Sequence, residues 1–178
     1  SNYIAGRSSE MDPVLVSLYV LGLDPTGNLA TPSTNLMNNL HTYLTNYRML
    51  TDAVNIKPAY IINIGVDFDI VIRPNFNGQD VLARCISSLQ SYFDTGNWQI
   101  NQPIILSNIY STLDQVEGVQ TVKNVQIVNL SGVSNGYSKY SYDIQAGTME
   151  GVVYPSLDPS IFEVKYPNTD IKGRIVPL

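Results

Sequence analysis

Cysteine, histidine, charge and long apolar runs are all scarce in this chain, and each scarcity closes off a class of function. One cysteine, Cys85, leaves no internal disulfide to be made. It falls on an apolar helical stripe, so it reads as a small buried hydrophobe rather than a reactive thiol. One histidine, His41, reads as a structural residue beside the apolar stripe of its own helix. One Cys and one His cannot close a tetrahedral zinc site within a monomer, and no metal or cofactor is expected. A Ser/His/Asp or Cys/His catalytic arrangement would have to use His41, and no nucleophile elbow accompanies it. No catalytic residue is expected, and the chain is read as a non-enzyme.

Charged residues make up 14% of the sequence, against about 25% in ordinary soluble domains. The net charge is −5, and Lys and Arg nowhere cluster, which argues against a nucleic-acid partner. No run approaches the ~18 apolar residues of a membrane span. Asn77-Gly78 lacks the glycine spacing and the lysine of a phosphate-cradling loop. The chain opens Ser1-Asn2-Tyr3, with neither an initiator Met nor a signal-peptide pattern, as expected of a fragment of a longer protein.

What is present is polar without being charged. Asn, Ser, Thr and Gln number 52 among 178 residues. Such a surface is easily desolvated and suits a protein that lives in a large assembly. The length fits one domain, or two small sub-domains, with a real core.

The centre of the chain is residues 59–129. Ile62, Ile64, Val66, Phe68, Ile70 and Ile72 alternate with the polar or small Asn63, Gly65, Asp67 and Asp69, the period of a strand with one face on a core. Arg73-Pro74 ends it. Asn77 then reads as a helix N-cap with Asp80 in the first turn, and Leu82, Cys85, Ile86, Leu89 and Phe93 form one apolar stripe. A second helix carries Ile105, Ile109, Leu113 and Val116, with Gly118 as a left-handed stop. A strand over 119–128 completes a strand–helix–helix–strand module.

Upstream, residues 1–12 read as a connector. A strand over 14–23, a turn at Asp24-Pro25-Thr26-Gly27-Asn28 and a helix opened by Thr31-Pro32 follow. Leu36, Leu40, Tyr43, Leu44 and Tyr47 are expected to be that helix's buried face. Val54-Asn55-Ile56 is a short extended piece, so residues 14–58 read as strand–helix–strand. Downstream, strands at 139–144 and 151–154 are expected to pair as a hairpin. Residues 155–178, with four prolines, read as an extended arm that does not pair on both sides. Its Ile161, Phe162, Val164, Tyr166 and Ile171 must find a groove, on this domain or on a neighbour. The fold class is α+β: a mixed sheet, about three helices mainly on one face, and an extended C-terminal arm.

The long alternating strand, the helix ending near Tyr92, Phe93 and Trp98, and the second helix closing in Val116-Glu117-Gly118-Val119 carry a resemblance. They resemble the C-terminal region of the baseplate wedge protein of T-even-type contractile-tailed bacteriophages, within the baseplate J-like family. Val153-Tyr154-Pro155-Ser156-Leu157-Asp158-Pro159-Ser160-Ile161-Phe162-Glu163-Val164 fits the T-even branch, and the resemblance covers roughly residue 30 to the C-terminus. It implies a structural virion protein of the tail baseplate, made in the bacterial host cytoplasm and carrying no catalytic residue. In that family the subunit helps connect wedges into a ring around the central hub, and the ring reorganises when the tail contracts. The implied partners are copies of itself, as a dimer or through ring contacts, and other baseplate wedge proteins.

Two sets of residues invite other readings. Asp67 and Asp69 alternate on one strand face, with Cα atoms roughly 6.5–7 Å apart, near the geometry of paired glycosidase carboxylates or a partial hard-cation site. Nothing nearby supplies a third ligand or a base, so they read as solubilising the outer face of the sheet. Tyr137, Tyr140 and Tyr142 fit cross-strand packing, an interface or a sugar-stacking platform. The alternative function is therefore a carbohydrate-binding or adhesin module of a phage tail or secreted protein. The expected interface is Tyr137, Tyr140, Tyr142, Ile161, Phe162 and Tyr166.

Overall fold

The computed structural model describes residues 15–47, 53–156 and 159–178. The expected connector at 1–12 lies outside the described residues, as do residue 14 of the first expected strand and Leu157-Asp158. The fold is α+β.

The alternating stretch forms β5 (Tyr60–Ile72), the 13-residue axis of the main sheet. Ile62, Ile64, Val66, Phe68 and Ile70 are all buried. The opposite face is not uniformly wet, because Ile61, Asn63 and Gly65 are buried too, and exposure begins at Asp67. β7 (Val119–Asn129) runs antiparallel along one edge of β5. Its register slips between Asp69 and Ile70 and again between Val71 and Ile72. Those bulges explain why Val125 and Ile127 are buried while the stretch 120–124 loses its alternation.

The other edge of β5 is filled twice by the C-terminal segment. β10 (Ser160–Glu163) pairs in parallel with Tyr60 to Asn63, and β11 (Ile171–Ile175) pairs in parallel with Val66 to Ile70. A single turn, α4 (Pro167–Asp170), joins them. Among the described residues both strands bond to β5 alone, as the proline density implied. The segment is not a projecting arm, however. Ile161, Phe162, Val164 and Ile171 sit in the domain's own core, because their apolar surface is removed from water more completely there than on a lone extended chain.

α2 (Gly78–Tyr92) and α3 (Leu106–Asp114) cover the apolar face of the sheet. Asn77 caps α2 by accepting from the amides of Gln79 (2.9 Å) and Asp80 (3.4 Å). Val81, Cys85, Leu89, Ile109 and Leu113 are fully buried, each worth about 1.5–3 kcal/mol for the larger apolar side chains. Gly118 has φ +96, and a Cβ there would lie 2.6 Å from Val81 Cγ2, so glycine is required.

The expected 139–144 with 151–154 hairpin is replaced by a shorter one. β8 (Thr148–Met149) and β9 (Val152–Val153) pair across Glu150 and Gly151, both at positive φ. That is the geometry of a two-residue primed turn, which matches the strand twist. β9 also pairs with β6 (Ile104–Ile105), while residues 139–143 wrap without strand pairing.

The N-terminal unit has the expected strand–helix–strand order. β1 (Leu15–Val20) lies parallel to β4 (Ala53–Pro58), joined through α1 (Thr34–Tyr47). Between β1 and α1, β2 (Gly22–Leu23) and β3 (Leu29–Ala30) form a small hairpin. Asp24 Oδ1 holds its turn, accepting from Thr26 N, Thr26 Oγ1 and Asn28 N at 2.6–2.9 Å. The helix begins two residues later than expected, where Ser33 Oγ accepts from the Leu36 amide. Its apolar stripe is not a buried face. No residue of α1 is buried.

Candidate functional site

The residues singled out as an interface divide into two groups. Ile161 and Phe162 are 3% and 2% exposed inside β10 and cannot meet a partner. Parallel pairing to β5 carries both side chains into the core, which corrects the expectation for them. Tyr137, Tyr140, Tyr142 and Tyr166 lie nearer the surface, and each is occupied by its own chain.

The Tyr137 hydroxyl donates to Asp170 Oδ1 at 2.6 Å, and its ring meets Tyr166 edge-on at 5.5 Å. Burial first, and then the Asp170 carboxylate, pushes the Tyr137 phenol up to about 12. Asp170 Oδ2 accepts from the Tyr166 amide at 2.9 Å, closing the α4 turn. Tyr140 stands edge-on to Tyr60 at 4.7 Å, with the Lys139 ammonium 5.2 Å over its ring. The Tyr142 ring packs on Phe162, and its hydroxyl donates to the Tyr154 carbonyl. These aromatics fasten the 131–143 segment over the second face of the sheet.

Beneath that segment lies a polar network absent from the sequence expectations. Glu163 and Asn63 are 4% and 1% exposed. Glu163 Oε1 accepts from the Leu29 amide (2.5 Å) and Oε2 from Asn63 Nδ2 (2.8 Å). Asn63 Oδ1 accepts from the Ser138 amide at 2.7 Å. One carboxylate and one carboxamide thus tie the β2–β3 hairpin, β5, β10 and the 131–143 segment together. Burial raises the Glu163 carboxyl above its ordinary range, against the lowering pull of the Leu29 amide, Asn63 and Lys165. A cleft of about 500 Å³ opens above it, lined in part by Asp24, Tyr137, Tyr140 and Lys165. The signal in the sequence was Asn63, the one carboxamide on the alternating strand, with Glu163 between Phe162 and Val164.

Asp67 and Asp69 lie on the open half of the sheet face, as read. Asp69 receives both arms of Arg174, Nε to Oδ1 at 2.9 Å and Nη2 to Oδ2 at 3.1 Å. Asn124 sits opposite it on β7, and Lys172 sits opposite Asp67 on β11. His41 is on α1, which packs against β4, and does not join them. Among the described residues no three His, Cys, Asp or Glu side chains converge on a metal position. Cys85 is fully buried, and burial pushes its thiol up to about 11.

Among the described residues, two surfaces gather several apolar groups turned to water. On α1, Leu36, Tyr43 and Tyr47 are 49%, 58% and 74% exposed, with the two tyrosine rings 4.7 Å apart. The helix carries no Asp, Glu, Lys or Arg at any position. A broad groove of about 970 Å³ runs between Pro103, Tyr142, Met149, Tyr154 and Pro155. Among the described residues no helix is long and apolar enough to cross a membrane.

No family model matches the chain, and no curated protein matches it either.

Proposed function

We propose that this chain works by assembly, as a structural subunit of the tail baseplate wedge of a contractile-tailed phage. One observation carries the assembly part. In the β1–α1–β4 unit, no side chain described is buried. A two-stranded sheet with one helix cannot stand alone in water, since it removes too little apolar surface to offset chain ordering. An uncharged helix with a leucine and tyrosine stripe is a contact surface whose partner is another subunit. The wedge assignment adds the resemblance of residue 30 onward to the T-even-type wedge protein, and the low charge content agrees with life inside a large particle.

The test is self-association. Light scattering on the parent will give a mass that rises with concentration, and Tyr43→Asp combined with Leu36→Asp will hold the protein at the protomer mass. Equal association of parent and variant would remove α1 from the account. For the wedge assignment, antibodies to this chain should label the baseplate end of contractile-tailed particles in electron micrographs. Labelling along the sheath or nowhere would discard it.

A further inference from the structure

The second apolar surface is chemically unlike the first. The groove between Pro103, Tyr142, Met149, Tyr154 and Pro155 has walls of aromatic and pyrrolidine rings, and among the described residues lining it the one that carries a charge is Asp143. Met149 is 65% exposed and Tyr154 47% exposed at its rim. Its floor is built rather than incidental. The Tyr142 hydroxyl donates to the Tyr154 carbonyl, the Tyr154 amide donates to Gly147 O at 2.9 Å, and Asp143 Oδ1 caps the Ala146 amide at 3.0 Å. Asn101, at the other end, is fixed by its Oδ1, which accepts from the Ser160 amide at 3.1 Å.

We propose that this groove seats an extended, proline-containing segment of a partner protein that bears a Lys or Arg side chain. Flat tyrosine and proline rings stack on a polyproline II segment, whose ordering cost is already low. Such a segment makes no hydrogen bonds within itself, so its backbone groups stay available to polar groups along the groove. The Asp143 carboxylate stands without a cation among the described residues lining the groove, and that charge complementarity selects a basic side chain. The groove is open along its length and accepts a backbone running through it. This deepens the assembly reading, on which it rests, by naming the chemistry of one partner contact.

The probe is a capped pentapeptide, proline-proline-leucine-proline-arginine, titrated into the ¹⁵N-labelled protein and followed by amide chemical shifts. Saturable shifts at Ala146, Gly147, Met149 and Tyr154 are expected. Tyr154→Ala keeps the carbonyl that Tyr142 uses and should weaken binding about tenfold or more, as loss of an aromatic anchor does. Asp143→Asn keeps the acceptor that caps the turn and should weaken it about two- to fivefold, the scale of an exposed ion pair. Met149→Glu, at an exposed position, gives a second handle if Tyr154→Ala does not fold. No saturable shift at millimolar peptide overturns the proposal, as does equal binding of a peptide with glutamate in place of arginine. Shifts at these same amides on concentrating the protein alone would assign the groove to self-contact and overturn it too. Failure here with the α1 variant still blocking self-association would sink the groove and leave the assembly reading standing.

Discussion

At the scale of single residues, the fold depends on positions where a methyl group does not fit. Gly173 lies on β11 against Phe68 and Leu82, and a Cβ there would overlap both side chains. Gly173→Ala should cost about 1–3 kcal/mol through overpacking, and Gly118→Ala about 1–2 kcal/mol from its left-handed backbone alone. Calorimetry should show each lowering Tm by several degrees, roughly 2–4 °C per kcal/mol at this size. An unchanged Tm for Gly173→Ala would mean that β11 does not press on Phe68.

Glu163 makes a prediction with a definite sign. In the folded protein its carboxyl titrates above the ordinary 4.5 because burial disfavours the anion. Between the unfolded and folded values the native state holds a proton that the unfolded chain has lost, so stability falls as pH rises through that window. Glu163→Gln removes this contribution. Denaturation midpoints measured upward from pH 4 should show the parent losing ground to the variant as pH rises past 4.5. A gap that stays flat or moves the other way contradicts the burial argument. Cys85 gives a simpler check: its buried thiol should ignore Ellman's reagent in the native protein and react once the chain is unfolded.

At the scale of elements, the sequence was most legible where one periodicity ran uninterrupted. The alternation in β5, the Asn77 cap and the α2 stripe are local patterns, and local physics decided them. Of the second helix's expected stripe, Ile109 and Leu113 are buried on α3, while Ile105 lies on β6 and is exposed and Val116 follows the helix. Long-range pairing was not legible. Nothing in the Ile161-Phe162 or Ile171–Ile175 stretches says which β5 residues they will join, so their apolar residues were as compatible with a neighbour's groove as with their own core. The same gap hid the Glu163–Asn63 pair, whose members are 100 residues apart. The α1 stripe predicts a buried face, and no residue of the helix is buried; periodicity specifies a face and leaves its partner open.

The returning C-terminal strands make the segment from 155 onward structural. Cutting the chain after Tyr154 removes β10 and β11, and with them Ile161, Phe162, Val164 and Ile171 from the core. At about 1.5–3 kcal/mol for each large side chain, that loss consumes much of the 5–15 kcal/mol by which a domain is normally stable. The truncated chain should lose its near-ultraviolet circular dichroism, and a native-like spectrum would show that β5 and β7 suffice.

For the whole molecule, the organisation is a well-packed sheet-and-helix body carrying, at one end, a small unit that no described side chain of its own closes over. Its chemistry is correspondingly plain: Asp69 is taken by Arg174, Asp170 by Tyr137, and Glu163 by Leu29 and Asn63. On the assembly reading proposed above, function resides in contacts. Hydrogen exchange of the α1 amides, followed by mass spectrometry at low and high protein concentration, tests this most directly. Fast exchange of 34–47 in the dilute protein and strong protection in the concentrated one is the expected result, with β5 protected in both. Protection of α1 that is the same at every concentration, in a protein that does associate, would contradict the claim that this helix is where the subunit meets its neighbour.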